Sequence, residues 1–282
     1  LGFKALEDFE ADTDGHGNNT AVGASAMMNA STGTENTALG NLAMAGGVTT
    51  GNSNVALGHG TGYNISSGQD NTLVGTGTGD SITSGNRNTA VGFAALATEN
   101  AHGNNTAIGY AALNTLDADA EGYNVAIGSN SGKLMTSGVN NSLLGYNSGT
   151  AITTGANNVA LGQGALGANT TASDNVAIGV SALGANVLGA SSIAIGLQSL
   201  AQQVPSGATV MHNVGVGQKT GFAVTTGVQN TLIGGLAGDA LTTGDNNIII
   251  GYAAAASAVG VDNTTVIGTT ATTNAKVHGL VK

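Results

Sequence analysis

The sequence predicts an all-β chain wound as a parallel β-solenoid, a β-roll with about 17 residues per rung. Three observations predict it. A ten-residue motif recurs throughout, as NNTAVGASAM at 18–27, RNTAVGFAAL at 87–96, NNTAIGYAAL at 104–113 and DNVAIGVSAL at 174–183. Its closing glycine returns at Gly23, Gly40, Gly58, Gly75, Gly92, Gly109, Gly128, Gly145, Gly162, Gly179, Gly196, Gly217, Gly234, Gly251 and Gly268, and 11 of these 14 intervals are 17 residues. The composition lacks bulky filler: 282 residues include 47 Gly, no Trp and only 3% aromatics. Such a chain cannot fill a thick globular centre, so a narrow apolar seam in an elongated body is expected.

Each column of the motif has a physical reading. Four residues before the glycine stand Asn19, Asn36, Asn54, Asn71, Asn88, Asn105, Asn124, Asn141, Asn158, Asn175, Asn213, Asn230 and Asn247, with Ser192 and Thr264 as exceptions. Asn tolerates turn conformations, and stacked amides can bond from rung to rung, so a structural ladder is expected. Three before the glycine is Thr, Val, Ile or Ser, residues that favour extended backbone. One before it stand Val22, Leu39, Leu57, Val74, Val91, Ile108, Ile127, Leu144, Leu161, Ile178, Ile195, Val216, Ile233, Ile250 and Ile267. These two columns are two residues apart and share a strand face, which the sequence assigns to the core. On that assignment an acidic substitution at Ile127 or Ile195 buries an unpaired ion and is expected to be severe. The glycine itself is expected to supply a positive φ for a tight turn.

The middle residue of the strand points to the other face, and its size trades against the position four after the glycine. Ala21, Ala90, Ala107 and Ala177 accompany Met27, Leu96, Leu113 and Leu183, whereas Leu73, Leu143 and Leu232 accompany Gly79, Gly149 and Gly238. Two side chains competing for one space produce this pattern. The second face is therefore expected to be buried too, against a partner surface beside the coil.

The longer intervals place insertions after the motif, in a loop. The period runs through residues 1–268, expected to be one repeat domain; 269–282 loses the pattern and is expected to lead into a cap, stalk or next domain. Residues 1–6 match the second half of a motif, so the chain is expected to be a fragment beginning mid-rung.

With Asn124-Val125-Ala126-Ile127-Gly128 and Asn175-Val176-Ala177-Ile178-Gly179 in view, the repeat resembles the head repeat of YadA-like trimeric autotransporter adhesins. The NNTAIGYAAL form, with Thr-Thr-Gly loops at 153–155 and 242–244, is also similar to repeats of bacteriophage tail fibres. The bacterial head repeat is shorter, so the additional residues are expected to lengthen one loop. The resemblance implies a parallel homotrimer, and it supplies the partner surface that the volume trade-off demands. It also implies attachment to a cell-surface receptor or glycan, on a virion or another extracellular surface.

Other chemistry finds little support. A net charge of −10 argues against binding a phosphate backbone, and no nucleic-acid partner is expected. No apolar run of about 18 residues exists, so no membrane insertion is expected in this segment. Nucleophile-elbow and P-loop motifs are absent, six basic residues leave little for a lyase-like cluster, and neither enzymatic activity nor a cofactor is expected. Asp12 and Asp14 in one insertion, and Asp117, Asp119 and Glu121 in another, are weak calcium candidates, because alternate carboxylates can converge on a hard cation. The alternative for both is a solvated acidic loop. The expected function is a non-enzymatic structural and adhesive segment of a phage tail fibre mediating host attachment. The alternatives are a bacterial trimeric adhesin head, a self-assembling extracellular filament or an ice-binding solenoid; the last requires an exposed Thr-x-Thr array that this Thr column lacks.

Overall fold

The computed structural model describes residues 2–7, 17–118, 120–269 and 271–272. Among these residues all regular structure is β, and the motif strands are three residues long. Contacts group the chain into two compact units, Leu1–Asn158 and Val159–Lys282, each a parallel β-solenoid. In the first unit, strands from Thr20–Val22 to Ser142–Leu144 pair in parallel with their successors, Thr20 opposite Thr37 and Val22 opposite Leu39. In the second, strands from Val159–Leu161 to Thr265–Ile267 repeat that register, Val176 opposite Ile193 and Ile178 opposite Ile195. One coil turn therefore equals one sequence repeat, as the period requires.

The Asn ladder forms as its spacing predicts. Asn36 Oδ1 accepts from the Asn54 amide at 2.9 Å and from Asn54 Nδ2 at 3.0 Å, and Asn54 Nδ2 also donates to the Gly68 carbonyl at 2.8 Å. The same bonds recur at Asn141 in the first unit and at Asn230 and Asn247 in the second. Each buried amide thus satisfies a loop carbonyl and the next turn's backbone, so burial leaves little desolvation cost.

The closing glycine is needed for two reasons. Gly109 has φ 135°, and a Cβ there would sit 2.5 Å from the Gly128 carbonyl oxygen of the next turn. Backbone rests directly on backbone along this column, with no room for a side chain.

The interior follows a two-class rule. Four residues after the glycine the backbone is left-handed in every turn from Met27 to Gly238, whatever the side chain: Met27 has φ 49°, Leu96 50° and Leu183 49°. A non-glycine residue costs roughly 1–2 kcal/mol there, and these Leu and Met side chains repay it by filling the interior, where they are fully buried. The other class places Gly at that position and a large residue three further on, as Gly79 with Ile82 and Gly149 with Ile152. A Cβ on Gly79 would lie 2.9 Å from Leu73 and 2.9 Å from Ile82. In this class the residue before that Gly tends to be a hydroxyl, and Thr220 Oγ1 donates to the Gly234 carbonyl at 2.8 Å. The volume trade-off read from the sequence is thus a real packing contact, and it lies inside one coil.

This relocates the core. The strand's middle residue, Ala38, Ala90 or Leu232, is the buried one. Val22, Leu39, Leu57, Val74, Val91, Ile108, Ile127 and Leu144 in the first unit, and Leu161, Ile178, Ile195, Val216, Ile233, Ile250 and Ile267 in the second, line up in register but face outward. None is buried within the chain; Leu39 is 49% exposed and Ile195 37%. Their assignment to the coil interior is corrected for that reason. The inner space is narrow and already filled by the middle residue and the two loop positions facing it, so the aliphatic column is left on the outer face. The face that needs no partner is the one the trade-off described.

Substituting Gly109→Ala should destabilise the coil by roughly 1–3 kcal/mol of backbone strain, read as a lower denaturation midpoint. Leu183→Ala should cost about 2–5 kcal/mol through its cavity. Ile195→Asp, which on its earlier placement would unfold the chain, should keep native β circular dichroism and lose only about 1 kcal/mol of strand preference.

Candidate interaction surfaces

Strands of Thr/Val-x-Val/Ile/Leu turn both flanking residues outward, so each unit carries an aliphatic stripe one strand wide. In the first unit it includes Ile108 and Leu144, and in the second Leu161, Ile233 and Ile248. The residue after the closing glycine adjoins this stripe. Phe93 and Tyr110 occupy it on successive turns and stack, ring centroids 5.6 Å apart and planes 9° from parallel. Single exposed aliphatics are ordinary on proteins, whereas a run repeated turn after turn is a distinct surface feature.

The insertions supply irregular loops. In the second unit, Ser192 replaces the ladder Asn, and the longest interval follows it. Gln203 from that insertion is fully buried and fills the gap: its Nε2 donates to Ser192 Oγ at 3.1 Å, and its Oε1 accepts from Asn213 Nδ2 at 2.9 Å. Anchored there, the loop forms a small parallel sheet in which Thr209–Val210 pairs with Gly189–Ala190. An open depression of about 220 Å³ lies beside it, lined by Leu188, Ala208 and Val210. The sequence reading missed Gln203, although a visible signal existed, since the lone Gln-bearing insertion sits in the turn whose ladder Asn is missing.

The acidic loop after Leu116 behaves differently from an open cation site. Glu121 Oε2 accepts from the Gly103 amide at 3.2 Å and from Asn104 Nδ2, which pins the loop to the turn before it. The Asp117 amide donates to the Thr136 carbonyl at 2.9 Å. Of the calcium candidates, Asp12, Asp14 and Asp119 lie outside the described residues. Among the described residues no group of three or more His, Asp or Glu side chains could hold a metal ion. Nor is any helix among them long and apolar enough to cross a membrane. Among the described residues, burial pushes the carboxyls of Asp80 and Glu99 above their usual range. Glu99 is a second residue the sequence reading missed; it occupies a column held by Ile82 and Leu116 on the adjacent turns.

No protein-family model matches the chain, and no curated protein is significantly similar to it.

Replacing Gln203 with Ala should leave Asn213 Nδ2 and Ser192 Oγ short of a partner. We expect a loss of about 1–3 kcal/mol and faster amide exchange across residues 201–212, followed by mass spectrometry.

Proposed function

We propose that this chain is a non-enzymatic, structural and adhesive fibre segment, that it works as a parallel homotrimer, and that it belongs to a phage tail fibre mediating host attachment. The observation carrying the reading is the outward aliphatic stripe, repeated once per turn in each unit. Only a surface with the same spacing can match it turn for turn, and a second copy of the chain in parallel register has that spacing. Closing the contact around an axis parallel to the coil gives a ring of copies. Three copies is the number implied by the resemblance to trimeric adhesin heads and tail-fibre repeats. The same stripe suits a bacterial adhesin head or an extracellular filament, where an equally rigid column presents its loops to a receptor or glycan. Recognition is assigned to the loops, notably residues 113–123 and 201–212, because sequence varies there without disturbing the stack. Localisation follows as extracellular or virion surface.

The outward placement of the Thr/Val column favours one further reading. Ice binding had counted against it a Thr column thought to be buried, and Thr72 and Val125 are exposed. Val55, Val125, Val159 and Ile193 still interrupt the Thr array.

Sedimentation equilibrium should give three times the chain mass, with Ile178→Asp/Ile195→Asp reducing it to one chain that retains β circular dichroism. A folded native monomer would remove the trimer, and thermal hysteresis from it would select ice binding. Binding of the trimer to bacterial cells, competed by their surface glycans, tests attachment.

A further inference from the structure

The aliphatic stripe has the same chemistry at every level. In the first unit the residue before the closing glycine is always Val, Leu or Ile, and the strands pair in one register throughout. A second copy displaced by one turn, about 4.8 Å, therefore meets the same surface again. A seam that repeats this closely holds its partner and leaves the offset open.

The column beside the stripe does not repeat. Its residues follow the closing glycine and vary from Ala24 and Thr76 to Phe93, Tyr110, Ser129 and Tyr146. Phe93 and Tyr110 are its one pair of aromatic neighbours in this unit, each 54% exposed, and they stack with centroids 5.6 Å apart. Among the described residues from 22 to 146, the other large apolar side chains left exposed stand in this column or the stripe, save Val48, Tyr123 and Leu134. The pair thus belongs to the one apolar face of the first unit.

We propose that Phe93 and Tyr110 anchor the contact between copies of this chain and fix its register, the pair in each copy lying level with the pair in its neighbours. The inference rests on the reading of the stripe as a contact between copies, and adds residues that the stripe does not include. In register, every copy presents its two rings at one height. A one-turn offset sets one ring of each pair opposite Thr76 or Ser129 and gives up that aromatic contact. Stacking within the chain already restricts both rings, so less side-chain freedom remains to be lost on association. Aromatic anchors of this kind dominate the energetics of protein contacts. Tyr123 is as exposed, at 58%, but stands on the far side of Asn124 from the strand and takes no part.

Oxidative tyrosine coupling on the intact chain tests the register. Tyr110 occurs once per chain, so a product joining position 110 to position 110 comes from two copies. It should be the main product there, with 146–146 beside it and Tyr123 uncoupled. A cross-linked dimer joined 110 to 146 would show offset copies, and an assembled chain with no coupling at Tyr110 would show the pair out of register or uninvolved. Either result overturns the inference and leaves the fibre reading standing. Phe93→Ala/Tyr110→Ala should keep β circular dichroism, weaken self-association by about tenfold or more in sedimentation, and lose the 146–146 product as offsets mix. Tyr123→Ala should change none of these. Unaltered association of the folded double variant overturns the anchor; should that variant fail to fold, the native coupling pattern still decides. A native chain that sediments as a folded monomer removes the fibre reading itself, and this inference with it.

Discussion

Backbone stacked on backbone at one rung spacing is the constraint from which the other features follow. Because each turn lies directly on the next, every column answers to its own image above and below. A column where main chains touch must be glycine, as at Gly109 and Gly179. A column where polar side chains meet must bond in both directions, and Asn does so with one acceptor and one two-proton donor. A column pointing inward is limited by how close the two sides of the coil come. The residue alphabet is narrow for this reason, and charged residues fall to 8% of the chain.

Left-handed backbone at a fixed place in the turns from Met27 to Gly238 is a second cost imposed by the same stacking. The chain meets it in two ways, by accepting Leu or Met in an unfavourable conformation or by using Gly and filling the space from elsewhere. Neither class is better in isolation, since strain in the first is offset by burial and lost volume in the second is restored by Leu73, Ile82 or Ile152. That balance explains how turns of both classes pair in the same strand register.

Much of this was legible in the sequence because periodicity exposes columns directly. The strand positions, the Asn ladder and the contest for space between Leu73 and Gly79 could all be read from spacing. Which strand face is the inside could not. Val and Ile beside Ala look like a core, and hydrophobicity alone favours burying Val22 or Ile195 over Ala21 or Ala194. The inner diameter reverses that choice, and diameter is a property of the closed coil, absent from any single turn. The outward stripe was therefore mistaken for the core, and the compensating Gln203 and the buried Glu99 were overlooked because each is one departure within an otherwise regular column.

Some turns are hollow at both inner positions and borrow volume across the turn boundary. A Cβ on Gly221 would meet Leu232 at 2.5 Å and Leu200 at 2.8 Å, one from each neighbour, and Gly132 stands likewise between Leu113 and Leu143. Genes built of near-identical units lengthen and shorten by unequal recombination. Here the units are not freely exchangeable: excising the segment that carries Leu232 strands its hollow neighbour, and moving Ser192 without Gln203 breaks the ladder. Inheritance is then expected to proceed in blocks of matched neighbours, so that the shortest heritable piece of this coil is longer than its period.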